Sequence, residues 1–154
     1  MMKNLLITLA LLTTGCASTS SVSSLQHTES PVKYTNTMAI IEAAAEHAPY
    51  AVSGVYTLKI VATGKQGEFV YLNTEDDYRD PRAVTVALHP KVLSRLKSKF
   101  EESPQAFFVN KSIEVTGKAK RTKIRFFANG KPTDKYYYQT HIRVMDASQI
   151  KIVG

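Results

Sequence analysis

Residues 67–88, GEFVYLNTEDDYRDPRAVTVAL, decide the fold. Their reading is two strands joined by a polar loop: GEFVYLN, then TEDDYRDPR, then AVTVAL. The first run is short and rich in aromatic and branched side chains, which suit a pleated surface. The second alternates, with Val84, Val86 and Leu88 on one side and Ala83, Thr85 and Ala87 on the other. An alternating run has the period of a strand, not of a helix. The loop holds Asn, Asp, Arg and Pro, which end strands and favour turns.

Outward from this hairpin the chain divides into further elements. Residues 50–62, YAVSGVYTLKIVA, predict a long strand with Val52, Gly54, Tyr56, Leu58, Ile60 and Ala62 on one face. Gly54 in its middle suggests a bend. Residues 63–67 are expected to turn. Residues 37–48, TMAIIEAAAEHA, predict a helix whose stripe is Met38, Ile41, Ala45 and Ala48, widened by Ile40 and Ala44. Pro49 stops it. Residues 89–100 return to helical spacing, with Val92, Leu93, Leu96 and Phe100 in one stripe and Pro90 at the first helical position. Phe107, Phe108 and Val109, in the connector that follows, are expected to rejoin the core.

Residues 111–127 predict a second long strand, with a one-residue slip near Arg121–Lys123 that implies a bulge. Residues 128–135 are read as a turn on Asn129-Gly130 and Pro132. Residues 136–145 form the last long strand. Its parity puts Tyr136, Tyr138, Ile142 and Val144 in the core and Tyr137, Gln139, His141 and Arg143 on the other face. Residues 149–153 close the chain as a short edge. The expected fold is mainly β: a five-stranded, OB-fold-like Greek-key barrel, with a helix between strands 3 and 4 and a preceding N-terminal helix.

Composition bounds the partners. The formal charge is +7, and residues 111–135 hold eight basic and two acidic residues. Such an excess favours anionic partners. Cys16 is the one cysteine, which excludes an internal disulfide and any zinc site needing several thiolates. His27, His47, His89 and His141 show no metal-ligand spacing, and no nucleophile elbow surrounds a serine. No catalytic residue, metal or cofactor is therefore expected. The acidic loop Glu75, Asp76, Asp77 and Asp80 lacks the spacing and glycine of a calcium loop.

The candidate site is the basic run Lys118, Lys120, Arg121, Lys123 and Arg125, with Tyr137, His141 and Arg143 on the neighbouring strand. Cations that track a backbone beside rings that stack on flat groups are the ingredients of a single-strand groove. The plainer alternative is a solvated charged face.

Residues 1–16, MMKNLLITLALLTTGC, have a positive start, a short apolar run and small residues before a cysteine. That layout is a secretory signal peptide. The Gly15-Cys16 junction resembles the lipobox of bacterial lipoproteins, with Thr13 where Leu is usual. The resemblance implies cleavage before Cys16 and its acylation. Ala17 and Ser18, in place of an inner-membrane retention Asp, imply the outer membrane. Residues 16–36, rich in Ser and Thr, then read as a lipidated flexible tether, and residues 37–154 as the domain.

The runs GEFVYLN…DYRD…VTVAL, SIEVTGKAKR and DASQIKIV resemble bacterial OB-fold domains of the nucleic-acid-binding-like type. Phe69, Leu72 and Asn73 carry the first match; Lys111, Val115, Thr116 and Gly117 the second; Ser148, Gln149 and Ile150 the third. The resemblance implies the fold, and the function expected of it is that of a periplasm-facing, non-catalytic binding module. Its expected partners are the outer membrane, through the lipid, and a protein or anionic envelope component, ahead of nucleic acid. The alternatives are a structural or inhibitory protein acting through a sheet edge or the 73–82 loop, and a nucleic-acid-binding or nuclease-accessory protein.

Overall fold

The computed structural model describes residues 30–98 and 102–153. The signal peptide, Cys16, most of the tether and Phe100 lie outside the described residues. Eight strands form one mixed sheet: β1 (Lys33–Tyr34), β2 (Val52–Lys59), β3 (Ala62–Gln66), β4 (Phe69–Asn73), β5 (Val84–Leu88), β6 (Ser112–Ala128), β7 (Lys131–Val144) and β8 (Ile150–Ile152). The order is β1-β2-β6-β7-β5-β4-β3, with β8 on β6, and the pairing does not close on itself. The pairs β1/β2 and β5/β7 are parallel; the others are antiparallel.

The chain is thus mainly β, with eight strands where the sequence suggests five. Part of the difference is one interruption. The long strand expected over 50–62 is β2, a break at Ile60–Val61, then β3. Residues 63–66, expected to turn, are strand; the turn is confined to Gly67 and Glu68. Gly67 supplies it with a φ of 58°. The turn expected over 128–135 likewise shrinks to Asn129 and Gly130, both at positive φ (52° and 74°), and Lys131 already opens β7. An Asn-Gly pair with two left-handed residues is the chemistry of a tight hairpin.

The hairpin of residues 67–88 lies between β7 and β3. Every residue of β5 is buried, including the face that carries Thr85 and Ala87. The polar member is satisfied, since Thr85 Oγ1 donates to Asn73 Oδ1 at 2.9 Å. At the strand's start, the Val84 amide donates to Thr74 Oγ1 at 2.9 Å. In the loop, Asp77 and Asp80 each accept from the amide two residues on and grip the arginine there, Arg79 and Arg82. The Arg82 bonds hold the Asp80 carboxyl down at about 2. These carboxylates brace a turn.

Three helices cover the sheet: α1 (Thr37–Glu46), α2 (Pro90–Lys97) and α3 (Pro104–Phe108). Asn36 caps α1, its Oδ1 accepting from the Met38 and Ala39 amides at 2.8 and 3.3 Å. Ile40 and Ala44 are its buried residues, while Met38, expected in the stripe, is exposed. The apolar arc is centred one residue away from the expected line because Ala-rich turns leave two equivalent faces. α2 buries Val92 and Leu96, and Phe108 of α3 is buried with them.

β1 lies in the stretch expected to be tether. Tyr34 stacks on Tyr56 at 5.3 Å between ring centroids. Gly54 makes room for it: a Cβ there would lie 2.9 Å from the Val32 carbonyl oxygen and 3.0 Å from the Tyr34 ring. The glycine expected to bend the strand thus permits a close approach. After β7, Gln149 fastens the C-terminal segment. Its Oε1 accepts from the Met145 and Asp146 amides, and its Nε2 donates to the Thr116 carbonyl.

Candidate ligand-binding surface

In β6 and β7 alternate residues face opposite ways, and directly paired residues share a face. Ala119 pairs with Ile142, and both are buried. The same face carries Arg121, Lys123 and Arg125, paired with Thr140, Tyr138 and Tyr136. The opposite face carries Lys120, paired with His141, and Ile124, paired with Tyr137. Lys118 and Arg143 belong to it by parity. The basic run read as one site therefore divides. Lys118, Lys120, Tyr137, His141 and Arg143 share the outer face; Arg121, Lys123 and Arg125 share the inner one.

Two expectations fail here for one reason. Tyr136 and Tyr138 have core parity but are 49% and 41% exposed, because the β6–β7 ribbon runs past the end of the core. Instead of core neighbours they meet cations: Lys123 Nζ lies 3.8 Å from the Tyr136 centroid and Arg121 Cζ 3.8 Å from that of Tyr138. The register slip expected near Arg121–Lys123 lies between Arg125 and Phe127. No slip is needed earlier, since Ile124 is an outward residue that lines a cleft.

That cleft, about 660 Å³, lies between strands β3 and β4, the 74–82 loop and the far end of the β6–β7 ribbon, where Arg125 of the inner row also reaches it. Tyr71, Tyr78, Phe126, Phe127, Tyr137 and His141 give it rings; Lys65, Arg79 and Arg125 give it cations. Phe126 packs on Tyr137 with centroids 5.3 Å apart, and Tyr71 lies 6.5 Å from His141. Alternation explains Tyr71: Val70 and Leu72 point into the core, so the residue between them points out. A second trough, about 960 Å³, lies alongside on β2, β6 and β7. Lys118, Lys120, Arg121, Lys123 and Arg143 line it. Arg121 and Lys123 do so where β6, beyond Ala119, has no neighbour on the β2 side. His141 borders both depressions, and among the described residues no carboxylate lines either, Asp77 standing behind Arg79 as its ion-pair partner.

Gln139 ties the surface together. Its Nε2 donates to the Tyr78 carbonyl of the loop, and its Oε1 lies 2.7 Å from His141 Nε2. The carbonyl oxygen only accepts, so that ring nitrogen carries the proton. Burial, reinforced by the positive charge of Arg143, pushes the His141 pKa down from its ordinary 6.5. His141 is therefore neutral in the folded protein near neutrality. Its stabilising contribution is complete above 6.5 and is lost as pH falls from there toward the lower folded value, where the unfolded chain binds the extra proton. Urea unfolding across that window is expected to show stability falling with pH. His141→Gln is expected to flatten the curve. Equal slopes in both proteins count against the assignment.

Sequence reasoning missed Tyr71, Tyr78, Lys65 and Arg79 as cleft residues. The alternation within FVYLN marks Tyr71; nothing local marks the other three, which join the cleft through tertiary folding.

No family model and no curated protein matches the chain. Among solved structures, a Leishmania major Friedlin protein described as an aspartyl-tRNA synthetase aligns with 85% of this chain at 12% identity and a TM-score of 0.40. The chain spans 22% of that protein's length. OBody AM3L09, solved bound to hen egg-white lysozyme, aligns over 81% of this chain and 98% of its own, at 17% identity and a TM-score of 0.46. Likeness at this level assigns neither a family nor a function.

Proposed function

We propose that this chain is a non-catalytic, OB-type binding module of the bacterial envelope, lipid-anchored at Cys16, that holds an extended anionic polymer across its outer face. The observation that carries the reading is the run of seven cations, apart from the Asp77-paired Arg79, along two depressions joined at His141, with no carboxylate among the described lining residues. A like-signed track flanked by low-dielectric walls raises the local concentration of a polyanion.

The fold reading rests on continuity. β2 and β3 are separated by two residues only, so they serve as one bent strand. Counted so, the neighbours run β2/β3, β4, β5, β7, β6 and back to β2, with the parallel β5/β7 pair inside the cycle. That order supports the reading of a five-stranded Greek-key barrel, with α2 and α3 counted between its third and fourth strands. The signal-peptide layout and Cys16 support the outer-membrane address.

The specific alternative is single-stranded nucleic acid, favoured by the rings of the first cleft, which offer flat faces to bases. Titrations with dextran sulfate and with oligo-dT, repeated across salt, separate the two. For the oligonucleotide, log K should fall linearly with log salt, by roughly 0.7 per phosphate engaged. Lys118→Glu with Lys120→Glu should lower the slope for whichever polymer binds. Salt-independent binding, or none to either probe, rejects the reading. A Cys16→Ala chain, mislocalised in cells, should bind the same probes equally well in solution.

A further inference from the structure

The tip of the β6–β7 hairpin stands clear of the buried core. Phe127 is 68% exposed and Phe126 44%, on adjacent residues beside the Asn129-Gly130 turn. Tyr136 and Tyr138, on the ribbon's other face, bring the large exposed rings of this protruding end to four. Single exposed apolar residues are ordinary, but contiguous apolar surface rimmed by polar groups marks a contact site. The rim here is cationic: Arg121, Lys123, Arg125, Lys131 and Lys135 against Asp134 alone. Two of those cations lie over the exposed tyrosine rings at 3.8 Å.

We propose that this hairpin tip docks on an anionic bilayer, Phe126 and Phe127 entering the headgroup boundary while the lysines and arginines meet lipid phosphates. Charge complementarity selects this occupant, together with the placement of the rings. Phenylalanines at the extremity reach deepest, and tyrosines further back lie at the level where amphipathic rings partition. Affinity for such a surface combines buried apolar area with attraction to anionic lipid. The tip shares Phe126, Phe127 and Arg125 with the first cleft and Arg121 and Lys123 with the trough, and the proposal does not require acylation of Cys16. Docking by the tip would hold the domain against the membrane at a second point.

The chain has no tryptophan, so Phe127→Trp in the full-length protein gives a single reporter at the tip. Tyr50→Trp, at a 78% exposed position far from the hairpin in sequence, gives the control. With vesicles of phosphatidylglycerol and phosphatidylcholine, the tip reporter is expected to shift to the blue and to be quenched by brominated lipid; the control is not. Neutralising Lys123, Lys131 and Lys135 with glutamine should weaken partitioning on the order of a hundredfold, at roughly fivefold per charge. An unshifted tip reporter overturns the proposal. So does an equal shift at Tyr50→Trp, which would mean adsorption of the whole chain. An equal shift with dextran sulfate in place of vesicles overturns it too, by assigning the tip to a soluble polyanion. In that last case the track reading of the outer face would survive.

Discussion

Tyr71→Ala combined with Tyr137→Ala is expected to lower affinity for oligo-dT on the order of a hundredfold. Both rings line the cleft, and neither holds the core: each is only partly buried. A base stacked on an aromatic ring is worth about 1–3 kcal/mol by alanine substitution. Two rings removed together therefore give a loss large enough to read in a filter-binding or anisotropy titration. The salt slope should stay as it was, because every cation remains. Charge reversal at Lys118 and Lys120 should do the opposite, lowering the slope whether or not the ligand has flat groups. Dextran sulfate, which carries no bases, should respond strongly to the charge change and little to the ring change. A double variant that binds oligo-dT as tightly as the parent would remove nucleic acid from consideration and leave the trough alone as the seat of binding. Thermal unfolding of the variant guards against a trivial loss.

The other large effect is expected at Tyr56. It is buried to 1% exposure, stacks on Tyr34 and anchors the end of the β2–β6 pairing. Its hydroxyl donates to the Val52 carbonyl and accepts from the Ala119 amide. Tyr56→Ala removes a whole buried ring, a change that costs about 3–5 kcal/mol in well-packed cores. In a chain of this size that lowers the melting temperature on the order of 10 °C. Tyr56→Phe keeps the ring and the Tyr34 stack and loses only the hydroxyl, for roughly 1 kcal/mol. The difference between the two variants measures the packing. If Tyr56→Ala shifts the urea midpoint no more than Tyr56→Phe does, the ring and its Tyr34 stack do not hold β1 in place.

Much of the sheet could be read from local pattern. The hairpin of residues 67–88 was legible because its alternation is strict and its loop is full of turn residues. Tyr137, Gln139, His141 and Arg143 were legible as one outward row for the same reason. Parity, however, gives only the side of the sheet and not what lies across from it. Tyr136 and Tyr138 have the core's parity but stand where the ribbon has outrun the core, and no local signal reports where the opposing layer ends. The basic run of residues 118–125 misled in a related way. Its cations are neighbours in sequence, and a strand sends neighbours to opposite faces. Tyr34 was hidden by the Ser/Thr-rich composition before it. The short run Pro31-Val32-Lys33-Tyr34, with a branched and an aromatic residue beside Gly54's missing side chain, was the available hint.

The unpaired margin of β6 beyond Ala119 has one more consequence. Open backbone amides and carbonyls invite a strand from a second molecule, and nine residues of extended chain would offer a generous template. Lysine and arginine at positions 120, 121, 123 and 125 keep two such margins apart by repulsion. Whatever polyanion occupies the trough also cancels that repulsion. Loaded molecules should therefore be the ones prone to clump side by side, and free ones the ones that stay dispersed.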